Sequence, residues 1–209
     1  MNDVIQQLAR LRMVPVVVID DAAVARPMAE ALMAGGITCA EITLRTPAGI
    51  EAIRAAAQVD GFLVGAGTVL TAQQVDDCGD AGARFIVSPG LDRDVVARAG
   101  AKGITAIPGV ATATELQQAL QLGLSVLKIF PAASLGGPAF LNALSGPFPD
   151  VRFVPSGGIS LESAPGYLAV PSVAAISGSW LTPQTALLDH DFATIERLAR
   201  ATTAALAAA

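Results

Sequence analysis

The chain has 209 residues, 53% of them hydrophobic and 15% charged, with a formal net charge of -5. That is long enough for one large buried core and too apolar for disorder, and with no cluster of Lys and Arg it lacks the electrostatic footprint of a nucleic-acid binder. A single domain over 1–209 is expected, and any anionic ligand must be held locally. Taken in order, 2–11 form an amphipathic opening helix. A continuous apolar run follows at 14–19, bounded by Asp20 and Asp21, the pattern of a strand buried on both faces. A helix over 22–34 ends on Gly35 and Gly36, natural terminators, and the next strand covers 38–44. Strand-like runs recur at 62–64, 84–87, 103–107, 125–130, 151–154 and 172–176. Helical periodicity fills 47–58, 72–81, 93–99, 112–122, 138–144 and 161–168. The last strand is followed by 183–188 and an Ala-rich helix from Phe192 onward.

Eight strands thus alternate with helices, at intervals that leave room for one helix and two short loops each. Strict alternation implies right-handed crossovers and a parallel sheet. Eight units imply closure, so the expected architecture is α/β, a single (β/α)8 TIM barrel with an additional N-terminal helix. A doubly wound open sheet is the rival, but no GxGxxG follows the first strand, where a dinucleotide fold needs it. The tail, ATTAALAAA, reads equally as a frayed helix end or a packing helix.

The opening MNDVIQQLARLRMV has an early acid and no long apolar run, so it does not read as a signal peptide. Nor does any run reach the roughly 18 apolar residues of a membrane helix. Cys39 and Cys78 are isolated thiols without metal-ligand spacing, which suits a reducing compartment and a cytoplasmic protein. His190 is the one histidine, so a His-rich metal site is excluded. Its setting, LLDHDF, reads as a helix junction.

The stretch with the most chemistry is LSVLKIFPA. Lys128 stands there among Val126, Leu127, Ile129 and Phe130, and it is one of only two lysines beside eleven arginines. An unpaired ammonium is costly to desolvate, so such a lysine either snorkels to water from a strand end or serves a purpose inside. Glu41 is placed alike, in CAEITL. Two isolated opposite charges in one barrel interior point to a shared cavity, where each offsets the other's desolvation. A buried salt bridge with no further role would look the same. In the catalytic reading a desolvated amine is a nucleophile that forms a Schiff base with a ketone or aldehyde, and a neighbouring carboxylate moves protons.

In such barrels the C-terminal strand ends form the active face. Arg45 lies just past the second strand, where a guanidinium can hold a carboxylate at two points or simply face water. Thr68 follows Gly65 and Gly67, which let backbone approach a ligand closely. Strand four ends at Ser88 and Pro89. Strands seven and eight end in PSGG, with Ser156, Gly157 and Gly158, and in SGS, with Ser177, Gly178 and Ser179. Barrels often bind phosphate at this position, though Gly and Ser are also common in ordinary strand-to-helix turns.

The ordered set AGGITCAEITLRT, VGAGTV, VSPGL, LKIFPA, VRFVPSGGIS and SGSWL resembles the bacterial 2-keto-3-deoxy-6-phosphogluconate (KDPG) aldolases, a family that includes 4-hydroxy-2-oxoglutarate aldolase activity. The resemblance covers most of the chain. It implies a class I, carbon-carbon lyase of the Entner-Doudoroff route that cleaves its substrate to pyruvate and glyceraldehyde 3-phosphate, as a homotrimer with no metal or other cofactor. By it, Lys128 is the Schiff-base lysine of the family's KFFPA motif and Glu41 the proton-shuttling carboxylate of EVTLRT. Arg45 and Thr68 match residues that hold the pyruvate carboxylate, Pro89 and Phe130 line the pocket, and Gly157, Gly158 and Ser179 match the phosphate end. Ser156 and Gly178 complete the expected substrate-binding set.

There are two departures. Ile129 stands where phenylalanine is usual, a change of packing shape. Ser156 stands where threonine is usual, which keeps the hydroxyl but loses a methyl, so the galactonate epimer is the alternative substrate. An isomerase or synthase of phosphorylated metabolites, and a catalytically silent trimeric scaffold, are the other readings of the same barrel.

Overall fold

A computed structural model of the chain describes residues 3–207. Helix α1 (Asp3–Leu11) leads into β1 (Met13–Val17), and the chain then alternates through α2 (Ala25–Ala34), β2 (Cys39–Thr43), α3 (Gly49–Ala56), β3 (Leu63–Gly67), α4 (Ala72–Asp80), β4 (Phe85–Val87) and α5 (Arg93–Ala101). It continues through β5 (Thr105–Ile107), β6 (Gly109–Val110), α6 (Ala113–Gln121), β7 (Val126–Ile129), α7 (Gly137–Ser145), β8 (Arg152–Pro155), α8 (Ala164–Leu168), β9 (Ile176–Gly178), α9 (Gln184–Leu188) and α10 (Phe192–Ala207). The proposed start of the first helix at Asn2 and the last two residues of the Ala-rich tail lie outside the described residues.

Every strand pair is parallel, and the strands are buried almost throughout, as apolar runs without alternation require. Nine strands are arranged in two sheets, one in the order β5-β4-β3-β2-β1-β9 and one in the order β6-β7-β8. The expectation of a (β/α)8 barrel is met only in part, by a curled parallel sheet flanked by helices. One reason for the difference is Pro108, which has no N–H and separates β5, within the expected fifth run, from the additional short strand β6 just beyond that run. Its carbonyl still accepts from Lys128 N at 2.9 Å, so the two sheets meet there. They meet again through single parallel bridges, Phe153 to Val173 and Ser156 to Ser177. The last strand is also later than expected. Over 172–175 the chain is bridged to β8 alone, and regular pairing with β1 begins at Ile176.

Helix starts carry the caps that polar residues ahead of apolar periodicity lead one to expect. Asp92 accepts from the N–H groups of Asp94 and Val95, both at 2.9 Å, and Thr112 forms a capping box with Glu115. The tail is a packing helix: Ala199, Thr202 and Leu206 are buried, and Arg12 Nη1 donates to the Leu206 carbonyl at 2.8 Å. Gly35 is needed for this contact as well as for ending α2, because a Cβ there would overlap Ala199. No helix among the described residues is long and apolar enough to cross a membrane.

Candidate active site

Glu41 is the middle residue of β2 and Lys128 the third of β7, strands in different sheets. Register nevertheless carries both side chains to one face. Lys128 is opposite Val154, and Ser156, two residues on, is bridged to Ser177. Ser177 is opposite Val14, and Val16, two residues further, is opposite Glu41. Side chains along a strand alternate with a period of two, so all of these share the concave inner face. There Lys128 Nζ lies 3.5 Å from Glu41 Oε1. The two residues are 7% and 1% exposed.

Desolvating two charges costs several kcal/mol each, which their mutual attraction roughly cancels, so net stability does not account for this pair. Its separation is longer than the roughly 2.7–2.9 Å of a charge-assisted hydrogen bond. Glu41 Oε2 is occluded and has no hydrogen-bond partner among the described residues. The pair is therefore not locked in a mutual charge-assisted hydrogen bond, and one carboxylate oxygen keeps its accepting capacity. The Phe130 ring centroid, 5.2 Å from Nζ, adds a cation-π contact. The Phe130–Pro131 peptide beyond it is cis.

The Glu41 carboxylate has room because β3 carries Gly67, where a Cβ would overlap it. The Phe85 ring occupies the corresponding space at Gly65. This corrects the expectation that these two glycines admit a ligand to the backbone, for they admit neighbouring side chains. Thr68, just beyond, is a non-glycine residue at φ +58°, a sparsely populated conformation of the kind found at ligand-binding positions.

Toward the C-terminal strand ends a cavity of about 420 Å³ opens, lined by Arg45, Phe130, Ser156, Gly157, Gly158, Gly178 and Ser179. Arg45 stands exposed at its rim. The strand end that carries it is pinned by the Thr43 hydroxyl, which donates to the Val17 carbonyl at 3.0 Å, and by the Thr46 hydroxyl on the Ile19 carbonyl. Gly157 and Gly158 have φ of 95° and 76°. Consecutive main-chain N–H groups in such turns form concavities that suit an anion. The Ser156 and Gly157 carbonyls accept from Ala132 N and Ala133 N at 2.8 and 3.0 Å, which fixes this turn against the loop after β7. Gly178 is packed under the Trp180 ring, and Trp180 Nε1 donates to Thr202 Oγ1 at 3.0 Å, tying the last turn to α10.

Of the expected residues, Lys128, Glu41 and Phe130 are brought into one cluster. Arg45, Ser156, Gly157, Gly158, Gly178 and Ser179 share the cavity that Phe130 also lines. Thr68 and Pro89 stand at the neighbouring ends of β3 and β4, outside the cavity lining. A larger cavity of about 560 Å³ lies at the opposite ends of β5 and β7 and contains none of these groups.

Ser177, Thr182 and Gln184 also line the 420 Å³ cavity and were not singled out from sequence. Ser177 was visible in the SGS turn, whereas nothing local marks Thr182. Thr182 Oγ1 is occluded without a partner among the described residues. A buried unpaired hydroxyl is costly, so Thr182→Val should be neutral or raise stability by about 1 kcal/mol, read as an unchanged or higher urea midpoint. A lower midpoint would mean that the hydroxyl is paired in solution.

Elsewhere, burial pushes the Cys78 thiol up to about 12, with Asp77 adding to the shift, and burial pushes Cys39 still higher, so both are inert. His190 lies between α9 and α10 with its ring edge-on to Phe192. Among the described residues no cluster of three or more His, Cys, Asp or Glu side chains could hold a metal ion.

A family model described as KDPG and KHG aldolase matches residues 4–198. The 2-dehydro-3-deoxy-phosphogluconate aldolase of Treponema pallidum (strain Nichols) is 45% identical over 203 residues, 97% of each chain. Among solved structures, the 2-keto-3-deoxy-6-phosphogluconate aldolase of Zymomonas mobilis ZM4 with 3-phosphoglycerate has a TM-score of 0.90 and 45% identity, over 96% of this chain and 95% of that one. The KDPG aldolase of Legionella pneumophila, with pyruvate captured as a covalent carbinolamine intermediate, has a TM-score of 0.91 and 42% identity, over 96% and 98% of the two chains.

Proposed function

The chain belongs to the KDPG and KHG aldolase family, and from that membership we infer that it is a class I aldolase cleaving 2-keto-3-deoxy-6-phosphogluconate to pyruvate and glyceraldehyde 3-phosphate. The observation that carries the reading is the buried Lys128–Glu41 pair on the inner face of the sheet. In the mechanism, the Lys128 amine attacks the C2 ketone to give a carbinolamine, and loss of water gives a protonated imine. The imine draws the electron pair of the C3–C4 bond toward itself. The C4 hydroxyl surrenders its proton and C4 leaves as the aldehyde, while C3 becomes the enamine carbon. Protonation of C3 and hydrolysis then release pyruvate and regenerate the amine. Glu41 takes and returns these protons, directly or through water. The imine itself is the electron sink, so this scheme calls for no metal.

The remaining roles are part of the same proposal. Arg45 and Thr68 hold the pyruvate carboxylate, Pro89 and Phe130 flank the reacting carbons, and Ser156 orients the substrate. Gly157, Gly158, Gly178 and Ser179 bind the phosphate, and the pair of left-handed glycines supports that assignment. We read the two sheets as one eight-unit TIM barrel, a reading supported by their junctions at Pro108 and at Ser156–Ser177. A cytoplasmic homotrimer without a cofactor is proposed on the family resemblance.

The direct test is borohydride reduction in the presence of pyruvate, which should leave a mass adduct on Lys128. An adduct on Lys102, or none, would overturn the assignment.

A further inference from the structure

We propose that Ser177, with Ser156 beside it, binds the non-reacting hydroxyl of the substrate, the one on the carbon next to the phosphate-bearing CH2. The proposal rests on the aldolase reading above. The two serines end different strands and are joined by a single parallel bridge, so their side chains stand side by side on the inner face. They are 2% and 5% exposed and line the same cavity. No hydrogen bond within the fold ties either hydroxyl among the described residues, and neither oxygen is among the occluded ones, so both open onto the cavity.

The Thr182 hydroxyl in the same cavity is also unpaired but is occluded, whereas three others nearby are tied to the main chain. Those of Thr43 and Thr46 donate to main-chain carbonyls of β1 and the loop after it, and that of Ser88 donates to the Gly90 carbonyl. Buried hydroxyls are ordinarily satisfied in this way. Two adjacent hydroxyls that face the cavity with no tie to the main chain, each able to donate and accept, form a surface complementary to an alcohol. Position selects which alcohol. Ser156 directly precedes Gly157–Gly158 and Ser177 directly precedes Gly178–Ser179, the turns proposed to hold phosphate. Lys128 holds C2 at the other end. The serines therefore face the carbon nearest the phosphate and not the bond that breaks.

A site built to hydrogen-bond a substrate hydroxyl discriminates against an analogue that lacks it. In the condensation direction, with pyruvate as donor, the wild-type protein should prefer glyceraldehyde 3-phosphate over 3-oxopropyl phosphate, the same aldehyde without the hydroxyl. Ser177→Ala should reduce that ratio of kcat/KM values about tenfold, the scale of one hydrogen bond with a partner left unpaired. Ser177→Thr, which keeps the hydroxyl, should recover part of the ratio. If the alanine protein does not fold, Ser177→Cys, similar in size but a weak donor, reads the same ratio. A ratio equal to wild type, or an equal loss for both aldehydes, would overturn this inference. Wild-type protein that forms no pyruvate adduct on Lys128 would instead overturn the aldolase reading.

Discussion

Lys128→Met is expected to lower kcat by about four orders of magnitude or more and to abolish the borohydride-trapped pyruvate adduct, because the chain's other lysine, Lys102, is paired with Asp76 and Asp80 away from Glu41. Methionine fills a similar volume and suits a buried position, so packing changes little. Electrostatics change more. Glu41, 1% exposed, loses its only cation within 4 Å among the described residues. Breaking a buried pair by removing one partner costs about 3–5 kcal/mol, a large share of the roughly 5–15 kcal/mol that stabilises a typical domain. A loss of activity in the single variant alone could then be attributed to unfolding. The double variant Lys128→Met with Glu41→Gln removes both charges, so it should recover most of the lost stability and none of the turnover. Thermal unfolding and single-turnover assays on both proteins separate the two effects. Activity in the stabilised double variant would rule out the imine route.

Glu41→Gln tests the other half of the pair. The amide keeps the shape of the carboxylate but cannot take up and return a proton, so kcat should fall by about 10²–10⁴-fold, the usual contribution of a positioned acid-base group. Pyruvate should still be trapped on Lys128, though more slowly, because imine formation also moves protons. Exchange of the pyruvate methyl hydrogens with deuterated water, which passes through the enamine, should fall in step with kcat. If trapping falls as far as turnover and exchange falls no further than trapping, the whole loss lies in imine formation and Glu41 serves only to hold the lysine. The occluded, unpartnered Oε2 favours the proton-transfer role, since a purely structural carboxylate would have both oxygens satisfied.

Much of the fold was legible because parallel strands buried on both faces have a local signature. The runs at 38–44 and 125–130 are continuous and apolar, and they became β2 and β7 with ends trimmed by a residue or two. The helix starts expected at 93 and 112 fell within a residue of the observed ones, where Asp92 and Thr112 are the caps. The run at 172–176 was displaced because its pairing partners come from β8 and β1, far away in the chain. The short strand β6 beyond the fifth run was not expected: Pro108 was visible as a proline, but its effect on the sheet was not, because a neighbouring strand had to be present to lose the bond.

The sequence by itself determined which residues could do chemistry. A lone lysine and a lone glutamate in apolar strands are costly to bury, so their type and setting mark them without any coordinates. The tertiary structure decided which partners those residues have. The 3.5 Å approach of Lys128 to Glu41 depends on register accumulated across β7, β8, β9, β1 and β2. The use of Gly67 to make room for Glu41, the unpaired hydroxyl of Thr182 and the adjacency of Ser156 to Ser177 are likewise contacts between distant segments. Local propensity contains no term for such contacts, because the curl of the sheet brings residues together in space that no spacing in the chain relates.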